Sequence, residues 1–317
     1  MSNRSCFLLL VAAQMVCFSV RAQTNLFDAI RSGSSDELNK ALTNGANAND
    51  SLSGYSALMF CTLDGTAEQM SMLISHGANV NYQNTDSITA LWLAVPDLDK
   101  MTLLLNHNAD INHKIDGYGI LSKLAMIPGI TAIFQFLMAR GADPFHTSPD
   151  NILLYSAAGT GDTTLLGLLL HLGLKVNDTT SFGEAPINGA LAFRTPATLK
   201  MLVEHGANVN FQNLYEPNLP AVIGFTPLMN AAIGNDMESL LFLLDHGADP
   251  NMRSKNGSTA LILLQQSDCN DPEITFALIK HGARVEDRQL DGSDALYFAK
   301  QKGNTQTVTL LQKYLQK

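Results

Sequence analysis

The sequence predicts an all-α solenoid of about nine helix-turn-helix units joined by hairpin-like loops. The first observation behind this fold class is a Gly-Ala dipeptide, or a near copy of it, that returns about every 33 residues. The second is a leucine-rich run before most copies and a polar stretch after them. A fixed period of this size is typical of stacked repeats, in which each unit packs only against its neighbours. The copies are Gly45-Ala46, Gly77-Ala78, Asn108-Ala109, Gly141-Ala142, Gly173-Leu174, Gly206-Ala207, Gly247-Ala248 and Gly282-Ala283.

One unit illustrates why these residues favour a pair of helices. Thr226 suits the N-cap of the first helix, and Pro227 suits its first position, where a missing N–H costs nothing. Leucines at i, i+3 and i+4 in the run from 240 to 244 give the second helix one apolar face. Gly247 suits the left-handed conformation that ends a helix. No unit can bury its apolar face alone, so stacking supplies the core.

The same unit resembles the ankyrin repeat. It reads Gly-Phe-Thr-Pro-Leu-Met-Asn-Ala-Ala at 224–232 and Gly-Ala-Asp-Pro-Asn at 247–251, where that family has Gly-x-Thr-Pro-Leu-His-x-Ala-Ala and Gly-Ala-Asp-x-Asn. The resemblance extends over residues 24–317. It implies a non-catalytic protein that binds a partner protein through the concave face formed by the hairpin tips and the exposed side of each first helix.

Departures from the family pattern imply a less regular and less stable array. The proline of the Thr-Pro-Leu-His run is present only as Pro186 and Pro227. The histidine of that run, which ties loops together in the family, is missing throughout. It is replaced by Met59, Trp92, Lys123, Tyr155, Asn188, Met229, Ile262 and Tyr297.

The repeat marks divide the chain into a leader and a repeat domain. We expect residues 1–22 to be a secretory signal peptide and residues 23–317 to be the ankyrin-repeat domain. The predicted units are 24–50, 51–83, 84–114, 115–146, 147–179, 180–212, 213–253 with an inserted loop at 214–223, 254–288 and 289–317.

The leader has the features of a signal peptide. Arg4 precedes an apolar run from Cys6 to Val20, and Val20-Arg21-Ala22 predicts cleavage before Gln23. The run is about 15 residues, short of the roughly 20 that cross a bilayer as a helix. An uncleaved anchor is the alternative. No second apolar run of spanning length follows, so we expect no membrane span in the mature chain.

The cysteines agree with export. Cys6 and Cys17 would leave with the signal, and Cys61 and Cys269 stand in the second and eighth predicted units. Stacked repeats would hold that pair far beyond the roughly 7 Å limit for a disulfide. An exported protein without disulfides fits the bacterial periplasm first and a secreted protein next.

The net charge of the chain limits the kinds of partner that it can bind. The chain has 20 Lys and Arg against 29 Asp and Glu. Without the two arginines of the leader the balance is 18 to 29, or −11. An acidic chain without a basic tract argues against nucleic acid and favours a protein partner with a basic complement. The alternative is that the acidity only keeps the array soluble. We expect a monomer when the chain is alone.

The sequence offers no catalytic or metal-binding constellation. Histidines 76, 107, 205, 246 and 281 share one register beside the C-terminus of each second helix, where the helix dipole favours them. Neighbouring helices lie about 10 Å apart, too far for such histidines to share one zinc. No phosphate loop, Gly-x-Ser-x-Gly elbow or His-Glu-x-x-His motif occurs. We therefore predict no enzyme activity, no cofactor and no metal.

The candidate partner-binding residues lie at hairpin tips, on the first helices and in the inserted loop 214–223. Insertions in such arrays often map to the binding face, although a neutral insertion is equally compatible with this one. Some of the apolar candidates could instead pack between units. The set is Tyr55, Leu63, Asp64, Asp86, Asp97, Tyr118, Phe182, Glu184, Phe193, Tyr215, Glu216, Leu219, Phe225 and Asn235.

The sequence therefore predicts a non-catalytic protein-binding module. Two more specific roles stay open. One is an inhibitor, immunity or accessory protein for a periplasmic toxin or enzyme, and the other is a secreted effector that acts on a host protein.

Overall fold

A computed structural model describes residues 24–145, 152–213, 224–268 and 271–316 of the chain. These residues form 18 helices and two short antiparallel hairpins. The chain divides into two compact units, one that ends at Asp110 and one that begins at Ile111. Within the described ranges no helix combines the length and the apolar character needed to cross a membrane.

The first unit contains three helix pairs. The first helices pack against one another in chain order, as do the second helices. Strand β1 (Ser51–Leu52) pairs with β2 (Tyr55–Ser56) in front of the second pair. The helices are α1 (Thr24–Arg31), α2 (Ser35–Thr43), α3 (Ala57–Asp64), α4 (Ala67–Ser75), α5 (Ala90–Ala94) and α6 (Leu98–Asn106).

The second unit contains six helix pairs and repeats this arrangement. Strand β3 (Lys114–Ile115) pairs with β4 (Tyr118–Gly119) in front of its first pair. The helices are α7 (Ile120–Leu124), α8 (Thr131–Ala139), α9 (Ile152–Thr160), α10 (Thr163–His171), α11 (Pro186–Ala192), α12 (Pro196–Glu204), α13 (Pro227–Ile233), α14 (Met237–Asp245), α15 (Ala260–Gln266), α16 (Pro272–Lys280), α17 (Ala295–Gln301) and α18 (Thr305–Leu315).

The all-α repeat fold predicted from the sequence is confirmed, and each predicted unit range contains one helix pair. The residues predicted to begin and end the helices of the seventh repeat do so in the structure. The Thr226 hydroxyl accepts a hydrogen bond from the Met229 N–H at 3.2 Å, and Pro227 opens α13. Gly247 ends the next helix with φ +89°. Asn108, which replaces glycine at this mark, adopts φ +62°, a conformation that asparagine tolerates better than most residues.

Small residues on the first helices allow close packing. Ala231 and Ala232 of α13 are both buried. At Gly189 in α11 an added Cβ would stand against the backbone oxygen of Tyr155 in α9. The core therefore combines small residues with Leu, Ile and Met side chains on the first helices, and it contains mainly leucines on the second helices.

Asparagine carboxamides join consecutive repeats at the loop side. Asn210 donates from Nδ2 to the Gly247 carbonyl at 3.0 Å and accepts at Oδ1 from the Asp249 N–H at 2.8 Å. Each such asparagine lies four residues after the repeat mark and bridges to the next one. The asparagines that form this clamp are Asn49, Asn81, Asn112, Asn177, Asn210 and Asn251.

Removal of one clamp should destabilise the unit that contains it. We predict that Asn210→Ala lowers the free energy of unfolding by about 2 kcal/mol, because two hydrogen bonds are lost and a helix-end carbonyl loses its partner. Urea denaturation followed by circular dichroism measures this change. The control is Asn39→Ala on the exposed face of α2, which should change stability by less than about 0.5 kcal/mol. Equal effects of the two substitutions would contradict the role of the clamp.

Candidate protein-interaction surface

The histidine register has a structural role at the helix ends. In His76, His205, His246 and His281 the Nδ1 atom lies 2.8–2.9 Å from the carbonyl oxygen four residues earlier in the same helix. His281 Nε2 also lies 3.5 Å from Asp245 Oδ1. No group of three or more His, Cys, Asp or Glu side chains that could hold a metal occurs among the described residues. Each of these rings therefore completes the C-terminus of its own helix.

Cys61 is enclosed in the core of the first unit. It lies on α3 with its Sγ 3.7 Å from the Thr66 carbonyl oxygen. Burial raises the pKa of its thiol to about 12, and the positive charge of Lys100 offsets only part of that effect. Because the thiolate is the nucleophilic form, this cysteine is chemically inert in the folded chain.

The predicted partner-binding residues in the hairpins differ in how much of each residue is exposed. Asp86 is exposed, whereas Tyr55 and Tyr118 are half-buried in β2 and β4. Phe182 is 50% exposed. The carboxylate of the half-buried Glu184 already has partners within the protein. It accepts hydrogen bonds from Asn188 Nδ2 and, at 2.7 Å, from Asn213 Nδ2.

The candidates on and beside the first helices are mostly exposed. Leu63 is 45% exposed and Asp64 is exposed at the end of α3. Phe193 is 55% exposed, although one edge of its ring covers Gly159 of the preceding repeat. Asp97 is exposed and caps α6 by accepting from the Asp99 and Lys100 N–H groups.

Phe225 is a correction to the predicted surface. The structure buries this residue, with 9% of it exposed. Its carbonyl oxygen accepts from the Asn213 N–H at 3.4 Å, which draws the start of α13 toward the preceding loop. Phe225 therefore cannot contact a partner without unfolding of the repeat.

Asn235 is half-buried and has a structural explanation. It adopts φ +52° directly after α13, a position that favours asparagine. Its side-chain Oδ1 is buried and has no hydrogen-bond partner among the described residues. Three further candidates, Tyr215, Glu216 and Leu219, fall in the segment 214–223, which lies outside the described residues.

The structure brings three predicted residues, Leu63, Asp64 and Asp97, into a larger surface that sequence reasoning missed. The turns between the two helices of each repeat in the first unit lie side by side. Ser35 Oγ of the first repeat donates to Glu68 Oε2 of the second at 2.7 Å. Lys100 Nζ of the third donates to the Thr62 carbonyl of the second at 2.7 Å.

We call this surface the acidic turn edge. Its carboxylates are exposed, and Leu63 and Leu98 (44% exposed) lie among them. The recurrence of acidic residues in the first turn of each second helix of the first unit was the signal that could have found it. The acidic turn edge consists of Asp36, Glu37, Leu63, Asp64, Glu68, Asp97, Leu98 and Asp99.

Comparisons with known proteins identify the family. Family models described as ankyrin repeats match residues 26–115 and residues 202–264. The chain is 31% identical to the ankyrin repeat protein YahD of Escherichia coli (strain K12) over 180 residues, which are 54% of this chain and 84% of that protein. The chain belongs to the ankyrin-repeat family, whose repeats generally mediate protein–protein interaction and are typically non-catalytic.

Other relatives match over smaller shares of their own length. The ankyrin repeat protein L371 of Acanthamoeba polyphaga mimivirus is 23% identical over 219 residues, or 66% of this chain and 28% of that protein. The human 2-5A-dependent ribonuclease is 46% identical over 65 residues, or 20% of this chain and 8% of that enzyme. The chain thus spans less than a third of these two relatives, and the short second match lends no support to ribonuclease activity.

The burial of Cys61 gives a direct chemical test. We predict that in a Cys269→Ser chain without residues 1–22 the remaining thiol does not react with a disulfide reagent at about pH 8, where an ordinary cysteine with a pKa of about 8.5 would. The same chain in concentrated urea should react fully. Rapid reaction of the folded chain would contradict the enclosed position of Cys61.

Proposed function

We propose that this protein is a non-catalytic binding module whose acidic turn edge holds a partner protein through a basic segment with apolar side chains. One observation carries the proposal: Leu63 and Asp64 stand together, exposed, in the last turn of α3. Both residues are unfavourable there on local grounds. A carboxylate opposes the negative end of the helix dipole, and an exposed leucine gains nothing from burial.

Local structure accounts for most of the other carboxylates. Asp36, Glu37, Glu68 and Asp99 lie in the first turns of α2, α4 and α6, where the helix dipole favours negative charge. Asp97 is an N-cap. The helix dipole does not explain Asp64, so this residue and its neighbour Leu63 are the positions at which binding is the better explanation.

The charge of the first unit supports a basic partner. Residues 24–110 contain ten Asp and Glu but only three Lys and Arg. Two of these cations are engaged, since the Arg31 guanidinium lies 4.9 Å from the centre of the Phe60 ring and Lys100 donates to the Thr62 carbonyl. Within the described residues, none of the carboxylates of the acidic turn edge forms an ion pair. A basic segment would supply the missing charge, and its apolar side chains would cover Leu63 and Leu98.

Replacement of the two key residues should weaken the partner complex. We predict that Leu63→Ser with Asp64→Lys lowers the affinity for the partner about tenfold or more, because an apolar contact is lost and an attraction becomes a repulsion. The measurement begins with affinity capture from the cell envelope and from the medium, and titrates the captured protein against each variant.

The matched control for this experiment lies in the second unit. Leu241→Ser with Asp245→Lys makes the same two substitutions, with the same change in net charge, on the exposed side of α14. It should change the affinity by less than about threefold. Equal losses in both variants would show that net charge, rather than the acidic turn edge, governs binding. Failure to enrich any protein from either source would contradict the proposal itself.

We further propose that the protein is exported and acts in the periplasm. The support is the sequence of residues 1–22, with its single early arginine, its short apolar run and its small residue before Gln23. We predict that N-terminal sequencing of protein recovered from the cell envelope begins at Gln23. An N-terminus at Met1 would favour the uncleaved anchor, and recovery from the medium would favour secretion.

A further inference from the structure

In the fourth repeat, residues 115–145 with α7 and α8, neither helix begins with a side-chain cap or a proline. Gly119 precedes α7 and Ile130 precedes α8, and neither makes a side-chain cap bond. Helices α11 and α12 also lack such bonds, but each begins at a proline. Among the repeats with both helix starts described, only the fourth has neither device. Side-chain caps stabilise a helix because they satisfy N–H groups that have no partner inside it.

The fourth repeat also lacks the asparagine clamp that would join it to the fifth. The clamp position, four residues after Gly141, is occupied by Phe145, whose ring cannot bridge two backbone groups. Phe145 is 56% exposed, so the ring does not replace the clamp by packing into the core. Up to Phe145, where the described part of this loop ends, the junction therefore has no counterpart to the Asn210 bridge.

The first helix of the fourth repeat, α7, carries an unusual cation and lies beside a surface pocket. Lys123 stands on α7 at the position where the family has histidine, and burial lowers the pKa of its amino group. A partly open surface pocket of about 280 Å³ lies beside the same helix. The pocket is lined by Ile111, Asn112, Lys114, Gly119, Ile120, Leu121, Ala142 and Asp143.

One carboxylate of the fifth repeat connects it to the fourth on the opposite, turn side. Asp162 uses Oδ1 to cap α10, accepting from the Thr164 and Leu165 N–H groups at 3.0 Å. Its Oδ2 accepts from the Gly129 N–H at 3.0 Å and from the Thr131 hydroxyl at 3.3 Å. The two oxygens therefore serve two different repeats.

We propose that the fourth repeat is the point at which the second unit opens, and that Asp162 is the latch that holds it closed against the fifth. The uncapped helices and the missing asparagine clamp lower the free-energy cost of opening. The bonds from Asp162 Oδ2 then join the fourth and fifth repeats on the turn side. Opening of this kind unfolds α7 and α8 locally while α12 to α16 remain folded.

Native-state hydrogen exchange of the full chain, read by mass spectrometry, tests the proposal. We expect the amides of α7 and α8 to exchange at least about tenfold faster than those of α14, because their opening costs less than global unfolding. Equal protection of the three helices would overturn the assignment of the fourth repeat as the opening point.

The substitution Asp162→Asn separates the latch from the cap. Asparagine keeps an acceptor for the N-cap of α10 but replaces Oδ2 with an amide group that cannot accept from Gly129 or Thr131. We expect exchange in α7 and α8 to accelerate by a further factor of about ten. The matched control is Asp236→Asn, which makes the same change at the N-cap of α14, where the side chain accepts from the Ser239 N–H of its own helix. Equal responses in the two variants would overturn the latch.

A repair variant tests the missing clamp independently. Phe145→Asn restores the carboxamide at the clamp position and should slow exchange in α8 about fivefold, whereas Phe145→Ser removes the ring without supplying a bridge and should not. If both variants behave alike, the missing clamp does not contribute to opening.

Discussion

Each helix pair of this chain has an apolar face that it cannot bury alone, so neighbouring pairs must cover it. The loops must therefore hold neighbouring pairs in register. The asparagine carboxamide performs this task at six positions by bonding a helix-end carbonyl and a loop amide of the following repeat. Both backbone groups would otherwise depend on water. Register, burial and the alignment of the turns in each unit all depend on this small polar bridge.

The same regularity determines what can vary. Once the backbone of a repeat is fixed by caps, left-handed helix ends and the asparagine bridge, the residues on its turns are free to differ in charge and size. The first unit uses this freedom to carry a surplus of carboxylates with two exposed leucines, Leu63 and Leu98. The fourth repeat differs in another way. It lacks the helix caps and the asparagine bridge to the fifth repeat, yet it keeps the same helix pair.

The sequence predicted the features that depend on local chemistry. Thr226, Pro227 and Gly247 each act as their conformational preferences require, and Asn108 takes the left-handed conformation expected of the repeat mark. Two other features depend on contacts between repeats and could not be predicted. Phe225 has the sequence of an exposed hairpin residue, but the folded repeat buries it. Asp162 has the sequence of an ordinary N-cap, and only the structure reveals that its second oxygen serves another repeat.

The asparagine bridge also restricts what can be attached to the chain. Asn177 begins an Asn-Asp-Thr tripeptide, an acceptor sequence for N-linked glycans. Its Nδ2 already donates to the Gly206 carbonyl at 3.0 Å, and its Oδ1 accepts from the Asn208 N–H at 2.8 Å. A sugar would replace one of the two hydrogens of the Nδ2 atom that forms this bridge, so glycosylation would compete with the contact between the fifth and sixth repeats. A cell that glycosylates this tripeptide during export would therefore produce a chain whose bridge between these two repeats is weakened.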